Sequence, residues 1–152
     1  MKIRTSLCNG LFLSLILTSA SAHAEDISGL LHGLAPDTTG NSDFDHQTVL
    51  VIPSSPQNGP TRITYIYPAL GISCHSDLAL NNVQSSGTFP DVQRAWTFDD
   101  QSQDAPCDPG TVRITSGLHI YGKVNSIYFE WIDLGGNVDN AGTLARVDLP
   151  LP

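Results

Sequence analysis

Positive charge is scarce in this sequence: seven Lys and Arg stand against fifteen Asp and Glu among 152 residues. A field of that sign repels phosphate backbones and excludes nucleic acid as the expected partner. Long apolar runs are lacking too. Beyond the N-terminal region each one is broken by Pro, Gly or Asp, and none approaches the roughly 20 residues of a spanning helix. No integral membrane anchor is expected. There is no Cys-x-x-Cys spacing, no Gly-x-Ser-x-Gly elbow and no His-Glu-x-x-His zinc motif. Helical periodicity, internal repeats, heptads, low-complexity tracts and dividing linkers are also missing.

What is present begins with an export signal. Lys2 and Arg4 precede the compact apolar core LFLSLIL at 11–17, and Ala22-His23-Ala24 offers an Ala-x-Ala cleavage pattern. Residues 1–24 are expected to be removed, with Glu25 as the new N-terminus and residues 25–152 as a single secreted or periplasmic domain. Cys8 precedes the apolar core without a lipobox, which argues against a lipoprotein. Cleavage leaves five basic against fifteen acidic residues, a formal charge of −10. It also leaves two cysteines, Cys74 and Cys107, which in an oxidising compartment are expected to form one disulfide.

Short runs rich in β-branched and aromatic residues recur between clusters of Gly, Pro, Ser, Thr, Asn and Asp, the pattern of an all-β chain. Strands are expected over 46–52, 61–67, 71–80, 94–98, 111–115, 118–123, 126–134 and 143–149. Residues 27–34 read as a first strand or a short helix. In 71–80, Ile72, Cys74, Ser76 and Leu78 share one face, and in 94–98 Trp96 and Phe98 do. The apolar residues 49–52 suggest a strand covered on both sides. Turns every 8–12 residues then favour a two-sheet antiparallel β-sandwich, immunoglobulin-like or jelly-roll-like, with a small barrel as the alternative.

A hairpin is expected between 118–124 and 127–133 around Asn125-Ser126. It pairs Val124 with Ile127, Gly122 with Phe129 and Ile120 with Trp131 on an apolar side. Its other side carries His119, Tyr121, Lys123, Tyr128 and Glu130, with Lys123 and Glu130 diagonal to each other. That face mixes stacking and hydrogen-bonding groups and is the candidate binding site. Trp96 and Trp131, in register with apolar neighbours, are expected in the core.

Asp37, Asp43 and Asp45 are weak candidates for a metal site. Ca²⁺ wants roughly 6–8 oxygen ligands, and this spacing matches no EF-hand loop; no cofactor is expected beyond that Ca²⁺ possibility. Asp99, Asp100, Asp104 and Asp108 form a second acidic stretch with the same limitation. His32, His46, His75 and His119 supply bases for hydrolysis by count alone, and Cys74-His75-Ser76 places its members on alternating faces. The expected function is therefore an exported binding module for a protein or glycan of the envelope or surroundings, as inhibitor, adhesion module or accessory subunit. A small secreted hydrolase, metal-assisted or not, is the alternative, and a secreted toxin or its immunity partner a further one.

Overall fold

Eight antiparallel strands follow one another around a closed barrel in the computed structural model, which describes residues 27–54, 59–86, 93–102, 107–116 and 125–148. They are β1 (Gly29–Ala35), β2 (His46–Ile52), β3 (Thr61–Tyr67), β4 (Ile72–Ser86), β5 (Gln93–Asp100), β6 (Gly110–Ser116), β7 (Ser126–Ile132) and β8 (Val138–Arg146). Each pairs with its sequence neighbours, and β1 closes onto β8 through Leu31 opposite Arg146 and His32 opposite Ala145. The expected all-β class is observed, and the barrel replaces the two-sheet sandwich.

The reason lies in what the strands bury. Leu50 and Ile52 point inward from β2, but Val49 is only half-buried and Val51 is 44% exposed. The 49–52 run thus needs cover on one side alone, which a barrel supplies. Period-two alternation runs along the strands except over residues 79–86 of β4, which are exposed throughout, and Leu31, Leu50, Ile63, Val112, Ile114, Ile127, Phe129 and Leu144 fill the interior. Eight strands enclose a lumen just wide enough for such side chains or for one small ligand.

Closure brings β1 and β8 unusually near each other. A Cβ on Gly33 would strike the Thr143 carbonyl, and one on Gly142 would strike the Leu34 carbonyl. Both glycines are required by close approach of backbone to backbone, since neither has a positive φ.

The expected hairpin partner of β7 is corrected. Both edges of β7 are occupied, by β6 and β8, so Phe129 faces Ile114 and Gly142, and Trp131 faces Val112 and Asn140. The inward set Ile127, Phe129 and Trp131 is nevertheless the expected one. Residues 118–124, with the candidate strand and His119, Tyr121 and Lys123, lie outside the described residues, as do residues 1–24, where the sequence suggests an export signal.

Cys74 and Cys107 form the expected disulfide, with Cα atoms 5.7 Å apart across a separation of 33 residues. Closing such a loop contributes about 3–4 kcal/mol on a chain-entropy model. It fastens the β5–β6 connection to the inner wall of β4.

Candidate functional site

Four connections gather at one barrel end, because β1, β3, β5 and β7 all run toward it. The register pairs beside them are Ala35 with His46, Tyr67 with Ile72, Asp100 with Gly110, and Ile132 with Val138. Between them opens a cavity of about 410 Å³. Phe44, Tyr65, Tyr67 and Trp131 bring aromatic rings to it, Leu70, Ile72 and the Cys74–Cys107 bridge add apolar wall, and Asp37, Asp108 and Asp139 stand among its polar residues. Trp131, expected in the core, does point inward, but it is half-buried and lines the mouth.

His46 packs against two aromatic rings of the cavity wall. Its ring lies 5.0 Å from Tyr65, edge-on at 82°, 5.0 Å from Tyr67, and 6.3 Å from Phe129. The residue is buried, and neither ring nitrogen has a hydrogen-bond partner among the described residues. Burial pushes its pKa down to about 4, against weaker opposing pulls from the Phe44 backbone and the Asp45 charge. His46 is thus a neutral aromatic plug at pH 7. Thr48, one inward position deeper, also buries an unpartnered hydroxyl.

A second polar link braces the cavity wall. Tyr65 donates its hydroxyl to Asp100 Oδ2 at 2.8 Å, and the Ser102 N–H donates to Oδ1 at 3.1 Å. Burial first, then the Asp100 charge and hydrogen bond, raises the Tyr65 pKa well above its ordinary value. Tyr67 is raised by burial and by the charges of Asp100 and Asp108. Both phenols remain protonated donors at neutral pH.

The rim is built from turn chemistry. Asp37 Oδ1 accepts from the Thr39 hydroxyl and N–H and from the Asn41 N–H. These bonds, that from the Thr39 side chain foremost, lower its pKa. Asn41 caps the single 3₁₀ turn, Ser42–Phe44, by accepting from the Asp43 N–H at 3.2 Å. Asn140, buried on β8, donates to the Phe44 carbonyl at 3.1 Å and the Ala35 carbonyl at 3.3 Å. It ties the β1–β2 connection, and with it Phe44, to the mouth.

Asp139 owes its position to a register shift. Ile132 faces Val138 and Trp131 faces Asn140, which makes Asp139 the extra residue of a β-bulge. Its carbonyl accepts the Thr38 N–H at 2.7 Å, and its carboxylate lines the cavity. A bulge depends on pairing with another strand, so no local pattern announces it.

The candidates drawn from the sequence are distributed differently. Tyr128 is 48% exposed on the outer wall of β7, and Glu130 shares that wall. Glu130 is paired with Arg113, its register partner on β6, where the sequence suggested a diagonal contact with Lys123. Asp45 Oδ1 accepts the Asp37 N–H at 2.8 Å, while Asp43 lies exposed on the 3₁₀ turn. Among the described residues, no three His, Cys, Asp or Glu side chains come together as a metal-holding group. His32 and His75 are exposed on outer walls whereas His46 is inside, so these three do not converge as bases. His75 instead bonds Thr64 Oγ1 at 3.0 Å.

Comparison of the chain with protein-family models, with curated proteins and with solved structures finds no match.

Proposed function

We propose that this protein is an exported binding module whose ligand is a small molecule with an apolar body, received in the barrel mouth. The observation that carries this reading is the cavity itself: about 410 Å³, aromatic-walled, and backed through Tyr65 by a cluster with His46 and Phe129. That volume lies toward the small end of the range for ligand pockets, and barrel mouths are a recurrent place for them. A concave site of this size favours a small molecule over the face of a folded protein, which needs a broad surface.

The rest of the molecule supports the same assignment. Its outward wall sets Gln47, Arg62, His75, Asp77, Arg113 and Glu130 among apolar residues such as Leu34, Val51 and Leu80, so charged groups interrupt any apolar band of the kind a lipid-facing barrel carries. The Cys74–Cys107 bridge fits an oxidising compartment. Of the described histidines none lines the mouth, and His46, which packs behind Tyr65 and Tyr67, has no second histidine beside it.

Fluorescence titration with the neutral probe N-phenyl-1-naphthylamine tests the assignment. Saturable one-to-one enhancement is expected, weakened at least tenfold by Leu70→Arg at the rim. Enhancement that never saturates, or that ignores Leu70→Arg, would contradict a ligand site in the mouth.

A further inference from the structure

Among the described residues, the charged groups that line the mouth are all of one sign. Asp37, Asp108 and Asp139 line it, and no Lys, Arg or His is among the residues that do. The described arginines stand elsewhere: Arg62 pairs with Asp77 on an outer wall, Arg113 pairs with Glu130, Arg146 donates to the Ser28 carbonyl, and Arg94 lies at the start of β5, the end away from the mouth. The three carboxylates therefore have no resident counter-charge among the lining residues.

Asp139 is the most telling of them. Its carboxylate has no hydrogen-bond or cationic partner among the described residues, and the residue lines the cavity from the bulge. Burial, followed by the charges of Asp133 and Asp37, raises its pKa above the usual value. Those effects describe a carboxylate that an incoming positive charge would relieve.

The aromatic wall acts in the same direction. Tyr67 and Trp131 present rings whose faces carry negative quadrupole density, which attracts ammonium groups and is indifferent to neutral ones. A bare divalent ion is poorly served here. It would need several oxygens converging at about 2.3–2.6 Å, whereas the described residues hold no metal-type cluster and the walls are carbon. A cation with its own organic body uses both features.

We infer that the mouth selects a small organic cation, its ammonium group held among the Asp37, Asp108 and Asp139 carboxylates and its apolar body seated against Tyr67 and Trp131. This inference rests on the reading of the mouth as the ligand site. A formal net charge of −8 further favours encounter with cations over anions.

Calorimetric titration of the purified, oxidised protein at pH 7 and low ionic strength tests it with three matched probes: phenethylamine, 2-phenylethanol and 3-phenylpropionate. The same three head groups on an indole body form a second series. The amines are expected to bind at least tenfold more tightly than the alcohols, and the acids most weakly. Asp139→Asn should reduce amine affinity about fivefold or more while leaving the alcohol within twofold, so the alcohol also reports an intact fold. Asp108→Asn, on an exposed connection, should act in the same direction.

Equal affinities across a series overturn the cation inference and leave the mouth as ligand site. Silence of all six probes overturns both. An amine preference unmoved by both Asp variants places the cation elsewhere and overturns the inference. A rise in Tm with millimolar CaCl₂ that no amine produces overturns it in favour of a metal ion.

Discussion

Tyr65 and Asp100 are bound to each other inside the barrel, hydroxyl to carboxylate, at 2.8 Å. Asp100 is 3% exposed, so its charge relies on the few donors that reach it. Tyr65→Phe keeps the ring against His46 but removes one of those donors. Loss of a buried bond to a charged group costs about 1–3 kcal/mol. The urea midpoint is expected to fall accordingly with an unchanged slope, because the surface exposed on unfolding does not change. An unchanged midpoint would mean the bond contributes nothing to stability.

His46 gives the fold a pH dependence of known sign. Its pKa is about 4 when folded and near 6.5 when unfolded. Between those values the unfolded chain takes up a proton that the folded ring refuses. The neutral ring's contribution is complete above about pH 6.5 and is lost as pH falls toward 4, a loss on the order of 3 kcal/mol. His46→Phe preserves an aromatic plug and removes the titration. Wild type and variant should therefore diverge in denaturation free energy across that window and run parallel above it. Curves parallel throughout would show that His46 is not buried in its neutral form.

Parity was legible in the sequence because alternation is a local property. Ile72, Cys74 and Leu78 face inward as expected, as do Trp96 with Phe98 and Ile127 with Phe129. The disulfide was legible from the count of cysteines and the compartment. Closure was not, because it is decided where the first strand meets the last, through glycines 109 positions apart in the chain. The 49–52 run misled for a related reason. An apolar residue such as Val51 on an outer wall resembles a second buried face until the layers are known. The expected hairpin failed because β7 takes β6 as its partner, and the V112/I114 alternation in β6 is as good a match for Ile127 and Phe129.

The mouth was least legible. Its members come from three connections and the strand ends beside them, and the two most specific depend on long-range geometry. Asp139 is set by a bulge against β7, and Asn140 by carbonyls about a hundred residues away. In the sequence both fall between the expected strands at 126–134 and 143–149, outside every expected element.

The β1–β8 seam should be intolerant of even one methyl group. In Gly142→Ala the new carbon meets the Leu34 backbone carbonyl, which cannot rotate away as a side chain would. Overpacking typically costs about 1–3 kcal/mol, and a backbone obstacle places this variant at or above the upper end. Ala141→Ser, one residue earlier on β8, introduces no such methyl group at the seam and should melt close to wild type. Thermal unfolding of the pair checks the claim, and a Gly142→Ala Tm within 2 °C of wild type (about 0.5 kcal/mol for a domain of this size) would refute it.

Trp131 and Tyr128 lie three positions apart on β7 and separate the two candidate binding surfaces. Trp131 lines the mouth beside the disulfide, whereas Tyr128 stands on the outer wall near the Arg113–Glu130 pair. Removing an aromatic ring that a ligand stacks on costs its stacking energy, about 0.5–1.5 kcal/mol, besides its buried area. Trp131→Ala is expected to weaken binding of an aromatic probe about tenfold or more, and Tyr128→Ala to leave it within twofold. Both variants retain the inward residues Ile127 and Phe129, so each should fold well enough to be titrated. The reverse ranking would return the site to the outer wall, where the exposed tyrosine first drew attention, and would remove the mouth from consideration.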